Sequence, residues 1–223
     1  MLQSDLLLKI KNITHSFGTA EVPYSIPGYG YEFWTKNKPR WKQVHGSKIL
    51  EVTHPNQLLG ELDAMFTTEP LVPIGIVTAD CVPLFLSKKD GNAVVAIHSG
   101  WRGTIAGILA RAWETVRDDP NNWIAAIGPC ISAPRYEVSE SLIDDFKNAF
   151  PSIDPLVIEP QKRHLDLEAI QKQILLSLGF SDENIDSMHR CTFSEQKRGK
   201  PLFHSYRREG SKQRQLSIIM RIN

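Results

Sequence analysis

Three of the polar positions able to do chemistry share one local setting, because each lies where an apolar run ends or breaks. His45 stands beside a glycine in Gln43-Val44-His45-Gly46, Asp80-Cys81 separates two apolar runs, and His98 closes Val94-Val95-Ala96-Ile97-His98. A side chain at a strand end can project into a cleft. Two imidazoles and one thiolate form a borderline-soft donor set that suits Zn2+, and three protein ligands leave a fourth position for water or substrate, as in catalytic rather than structural sites. Spacing alone does not select this reading, since no compact Cys-x-x-Cys or His-x-x-x-His pattern is present. His15, His54, His164, His189 and His204 compete as ligands on composition. Each imidazole could equally be a hydrogen-bonded structural residue, and Cys81 a small core hydrophobe.

The neighbours offer further chemistry. Arg102 falls just before a helix expected to begin near Thr104, where a guanidinium and free backbone N–H groups could hold an anion such as phosphate, or where the arginine could simply pair with a carboxylate. Asp80 could orient a ligating imidazole, pass a proton, or cap its turn. Arg207 and Arg208 could reach a phosphate or ribose or form a solvated face, and Cys130 and Cys191 read as buried thiols.

The elements that must position these groups mix strands and helices. Gln43–Val52 reads as a strand or bent hairpin broken at Gly46. Gly75–Thr78 and Leu84–Leu86 read as strands around a polar turn, and Val94–His98 and Ile124–Ile127 as further strands. Ile105, Ile108, Leu109, Ala112, Trp113 and Val116 follow helical spacing with Thr104 as N-cap; Leu142, Ile143, Phe146 and Phe150 mark a second helix, and Leu167, Ile170, Ile174 and Leu178 a third capped by Asp166. Leu202–Tyr206 and Leu216–Ile222 are expected to pair across the basic turn 207–212. The aromatic stretch from Ala20 to Arg40, with Tyr24, Tyr29, Tyr31, Phe33 and Trp34, lacks periodicity and reads as a loop, either an edge packing its rings on the core or a stacking lid over a planar substrate.

Bulk properties narrow the partners. Lysine plus arginine (26) nearly balances aspartate plus glutamate (25) over 223 residues, so no long-range field favours nucleic acid or an anionic membrane, and small-molecule chemistry is the better expectation. The N-terminus carries an early acid and only a very short apolar run, unlike a secretory signal, and no segment has the length to span a bilayer. Three widely spaced cysteines argue against a disulfide framework and for a reducing cytoplasm. With no repeat or low-complexity stretch, residues 1–223 are expected to form one domain of mixed α and β structure; the sequence does not indicate an oligomeric state.

Written in context, the motifs carry a resemblance. Gln43-Val44-His45-Gly46, Thr78-Ala79-Asp80-Cys81-Val82-Pro83, His98-Ser99-Gly100-Trp101-Arg102-Gly103, Ile127-Gly128-Pro129 with Tyr136-Glu137-Val138, and Ser205-Tyr206-Arg207-Arg208 occur in that order. Together they resemble the multicopper polyphenol oxidase, or laccase-domain, family from about Gln43 to the C-terminus. The resemblance implies an α+β fold, an α/β/β/α sandwich with mixed sheets, and Zn2+ held by His45, Cys81 and His98. It also implies a purine nucleoside phosphorylase that cleaves adenosine, inosine, guanosine or methylthioadenosine with phosphate and deaminates adenosine. Two departures stand out. The Arg-Gly-Gly-Val-Ser stretch usual after an opening like Thr14-His15-Ser16-Phe17-Gly18-Thr19 is replaced by the aromatic segment, and Ser99 stands where Ala is commoner. Rival readings are a cysteine-dependent amide hydrolase of the peptidoglycan-editing type using Cys81 and His98, a copper-dependent polyphenol oxidase, and a non-catalytic binding module. A type-one copper site would want an axial Met, and none of the four Met lies near a motif.

Overall fold

Apolar runs too short for helices become strands where both of their faces can be buried. The computed structural model, which describes residues 1–22 and 26–223, places Val82–Lys88 (β7) and Val94–Ser99 (β8) at the centre of a six-stranded sheet. Its order is β10 (Ile185–Ser187), β9 (Trp123–Ile127), β7, β8, β5 (Ala64–Thr67), β3 (Ile49–Glu51). The two outermost pairings are parallel and the inner ones antiparallel, so the sheet is mixed. A second sheet has the order β1 (Ile13–Ser16), β13 (Gln215–Arg221), β6 (Ile74–Thr78), all antiparallel. Two short ribbons, β2 (Arg40–Lys42) with β4 (Leu58–Glu61) and β11 (Gln196–Lys197) with β12 (Lys200–Pro201), lie outside these sheets.

Period-two alternation then sorts the side chains into layers. From the large sheet, Leu84, Leu86, Val95, Ile97 and Ile127 face helices α3 (Ile108–Val116), α4 (Glu140–Ala149) and α6 (Leu167–Ser177), meeting Leu109, Trp113, Phe146 and Ile170. Their neighbours Phe85, Val94, Ala96 and Ala126 turn the other way, onto Ile74, Ile76 and Ile219 of the second sheet. That sheet's outer face, Leu216, Ile218 and Met220, is covered by Ile26 and by Trp34 of α1 (Tyr31–Asn37). The stacking is therefore α/β/β/α, as the resemblance implied. The remaining helices, α2 (Trp101–Ile105), α5 (Pro155–Ile158) and α7 (Tyr206–Glu209), are single turns or little more.

Caps follow the sequence where a side chain is free to turn back. Asp166 accepts Ala169 N–H at 2.9 Å, as expected, and Ser139 caps α4. Thr104 does not cap a helix. The helix begins at Trp101 after Gly100, and the buried Thr104 hydroxyl donates back to the Gly100 carbonyl at 3.0 Å. The C-terminal hairpin is absent as well. Both edges of β13 are taken by β1 and β6, while Ser205 caps α7 through Arg208 N–H, so 206–209 coils. The Gln215 side chain joins the two stretches, accepting His204 N–H at 2.9 Å. Residues 43–48 form a loop, not a strand, between β2 and β3. The 20–40 stretch is in part helical, and Trp34 and Phe33 pack on the second sheet, as the edge reading required; Tyr24 lies outside the described residues.

Candidate metal centre

Register brings two of the three candidate ligands together. Val82 pairs with Ser99 and Pro83 with His98, so one further step along the antiparallel ladder sets Cys81 opposite Gly100 at the same end of the sheet. Gly100 is needed there for space: its backbone is extended (φ −81°), but a Cβ would stand 2.9 Å from Cys81 Sγ and 3.1 Å from His45 Cδ2. Cys81 follows Asp80, which holds a left-handed φ of 91°. Three bonds fix that conformation: Thr192 Oγ1–H to Asp80 Oδ1 at 2.6 Å, Arg207 N–H to Oδ2 at 2.7 Å, and Ile131 N–H to the Asp80 carbonyl at 3.0 Å.

His45 comes from the 43–48 loop, which is tied down by side chains in place of a ladder. The Gln43 amide pairs with the Val77 backbone in both directions, at 2.8 and 2.7 Å. Asp63, fully buried at the start of β5, gathers the N–H groups of Val44, His45 and Gly46 at 3.2, 2.9 and 2.7 Å. The same carboxylate accepts His98 Nδ1–H at 2.7 Å, which leaves Nε2 of that ring free to act as a ligand. One buried acid thus orients both histidines. The result is a cluster in which ligand atoms of His45, Cys81 and His98 all lie within 4.8 Å of one another, a set that could hold a metal ion.

The electrostatics agree with this geometry. Burial would raise the Cys81 thiol and lower His98, but the two groups face each other and Asp63 backs the imidazole, so the thiol is held low and the imidazole high. Asp63 is held below the usual carboxylate range: its burial opposes this, and the bonds from His98 and Gly46 prevail. The cluster opens into a cleft of about 620 Å3 that Trp101, Arg102, Tyr136, Tyr206, Arg207 and Arg214 also line. Arg102 sits inside the first turn of α2, not ahead of a helix, with its guanidinium 4.1 Å from the Trp101 ring centroid.

The competing histidines are elsewhere. His15 is buried in β1 and accepts Ser4 N–H, and His189 pairs with Glu168. The orienting role considered for Asp80 is filled by Asp63, while Asp80 ties Thr192 and α7 to the turn. Arg208 is structural, donating to the carbonyls of Thr192, Phe193 and Phe203. Ser99 turns from the cluster into a buried network with Thr104 and Gln171. All three cysteines are free, Cys130 buried with its thiol raised by that burial and Cys191 partly buried. Among the described residues no helix is long and apolar enough to cross a membrane.

Known proteins are similar to this chain in sequence and fold. Residues 33–222 match the family described as multi-copper polyphenol oxidoreductase laccase, and the chain belongs to that family. The purine nucleoside phosphorylase YfiH of Escherichia coli (strain K12) is 31% identical over 185 residues, covering 82% of this chain and 74% of that protein. The purine nucleoside phosphorylase of Haemophilus influenzae is 32% identical over 181 residues, covering 79% and 71%. The crystal structure of YlmD from Geobacillus stearothermophilus superposes with a TM-score of 0.78 at 27% identity, covering 96% of this chain and 94% of that one.

Proposed function

We propose that the chain is a zinc-dependent purine nucleoside phosphorylase of the cytoplasm, folded as one domain over residues 1–223, which cleaves adenosine, inosine, guanosine or methylthioadenosine with phosphate and also deaminates adenosine. The observation that carries the reading is the convergence of His45, Cys81 and His98 at the floor of a cleft walled by aromatic rings and arginines. Relatives named purine nucleoside phosphorylase support the phosphorylase part of it.

The residues fit a zinc ion. The donor set is two imidazoles and a thiolate, the buried ring is aimed by a carboxylate behind it, and a glycine keeps the space between the sulfur and the second ring clear. Zinc bound there supplies Lewis acidity that stabilises negative charge developing on a reacting oxygen. The protein's own groups do the rest. Arg102 holds the phosphate by charge-assisted hydrogen bonds. Trp101 and Tyr136 flank the planar base, and the cleft volume lies in the range of small-molecule sites. Asp80 acts by position, fastening α7 to the turn that presents Cys81.

Chromatography of products from inosine and adenosine, with and without phosphate, tests the activity. Base and ribose 1-phosphate should form from inosine only when phosphate is present, and inosine should form from adenosine without it; no turnover of either nucleoside would overturn the reading. Elemental analysis should find about one zinc per chain, lost in each of His45→Ala, Cys81→Ala and His98→Ala. A second reading, the amide hydrolase, is favoured by the Cys81–His98 contact, which is also that of a thiol and its base. Rapid alkylation of Cys81 in the zinc-loaded protein would support it, and protection would oppose it.

A further inference from the structure

The cleft holds more positive charge than a neutral nucleoside and one phosphate call for. Arg102, Arg207 and Arg214 all line it, and among the described residues none of the three has a carboxylate within ion-pair distance. The arginines outside the cleft with such partners show the contrast: Arg163 pairs with Glu137 and Arg190 with Glu195. Among the described residues Asp80 is the one carboxylate in the lining, and its two oxygens are occupied by Thr192 Oγ1 and the backbone N–H of Arg207.

Arg207 and Arg214 are also held in place by neutral groups. Arg207 gives Nη1–H to the Glu137 carbonyl at 2.8 Å and lies 5.1 Å from the Tyr136 ring centroid. Arg214 gives Nη1–H to the Ser211 and Gln213 carbonyls at 2.9 and 2.7 Å and lies 5.6 Å from the Tyr206 ring. Both keep Nε–H and Nη2–H donors for a ligand, in the fork geometry that suits phosphate. Resting on the purine nucleoside reading above, we infer that Arg207 and Arg214 form a second anion subsite, fitted to the 5′-phosphate of a purine nucleoside monophosphate, while Arg102 serves inorganic phosphate. The substrate class of the cleft thereby extends from nucleosides to 5′-nucleotides.

Calorimetric titration of the zinc-loaded protein with inosine and with inosine 5′-monophosphate, in phosphate-free buffer, reads this without turnover and without a variant. The nucleotide should bind roughly tenfold tighter or more, the gain expected of charge-assisted bonds. In Arg207→Ala/Arg214→Ala the ratio of the two affinities should fall towards one. Equal affinities for the two ligands in the unmodified protein would overturn the inference and leave the nucleoside reading standing. Nucleotide binding that depends on the two arginines, with no binding of inosine, would support the subsite and remove the nucleoside reading instead. A third arm adds sulfate with inosine, an anion of phosphate's shape that does not cleave the nucleoside. If sulfate restores the whole advantage of the nucleotide and that effect vanishes in the double variant, the subsite belongs to the co-substrate and the nucleotide assignment fails.

Discussion

Replacing Asp63 by Asn exchanges one oxygen for an NH2 group, and the structure makes that small change costly. Four N–H groups converge on two oxygens: Oδ1 takes His98 Nδ1–H at 2.7 Å and His45 N–H at 2.9 Å, while Oδ2 takes Gly46 N–H at 2.7 Å and Val44 N–H at 3.2 Å. An amide offers one acceptor, so in either flip its NH2 faces two donors. Two hydrogen bonds to a charged group are lost, at about 1.5–3 kcal/mol each, which sums to about 3–6 kcal/mol of folding stability. Loss of the carboxylate behind His98 should separately lower metal affinity by about 10–100-fold. The stability loss is read from the urea midpoint followed by tryptophan fluorescence. Affinity is read by competing a chromophoric chelator for zinc at urea-free conditions where the variant is folded. An Asp63→Asn protein with the parental midpoint and the parental competition curve would refute the argument that this one acid fixes both histidines. A normal midpoint with weakened zinc would confine its role to His98.

Gly100→Ala should fold with a cost of no more than about 1 kcal/mol, since its backbone is already extended, yet it should bind zinc poorly because the added Cβ would stand 2.9 Å from Cys81 Sγ; undiminished zinc by elemental analysis would contradict this. Arg102→Ala should slow phosphate-dependent cleavage of inosine by roughly ten- to hundredfold at limiting phosphate while sparing zinc content, and should affect deamination of adenosine less; equal losses would assign Arg102 to the nucleoside instead. His15 is held down to about 4, mainly by burial, and its Nε2 accepts Ser4 N–H at 2.8 Å, so the folded state keeps it neutral. The unfolded chain protonates below about 6.5, so stability falls as pH drops from there towards 4; between about pH 7 and pH 5 the chain should lose about 2 kcal/mol more than His15→Gln, and identical pH dependence in urea titrations would remove His15 as the cause.

The layers were legible where one rule governed a whole segment. Leu84–Leu86, Val94–His98 and Ile124–Ile127 are apolar on both faces because each is sandwiched, and α4 and α6 show their buried stripe at helical spacing. Reading failed where tertiary partners replaced local ones. Leu202–Tyr206 has a strand-like composition, but β13 has no free edge to offer it. The 20–40 segment conceals α1 because its short helix buries mainly Trp34, and one ring cannot make a periodic pattern.

The site divides in the same way. His45, Cys81 and His98 are marked out by standing at breaks in apolar runs, but it is the resemblance carried by their motifs that selects them over the competing histidines. What holds them was less visible, since Asp63 and Gln43 act through backbone N–H and C=O groups that no sequence pattern records. A signal was nevertheless present in Leu62-Asp63-Ala64-Met65: an ionised side chain within an apolar strand start is tolerated only when it is fully paired. Here it pairs with four donors, three of them on the histidine-bearing loop at positions 44, 45 and 46 and one on the His98 ring. The loop that carries His45 is therefore held by Asp63, at the start of β5, as well as by Val77, and His98 is oriented by the same carboxylate, so the cluster is assembled by the packing of the sheet and not by the spacing of its residues.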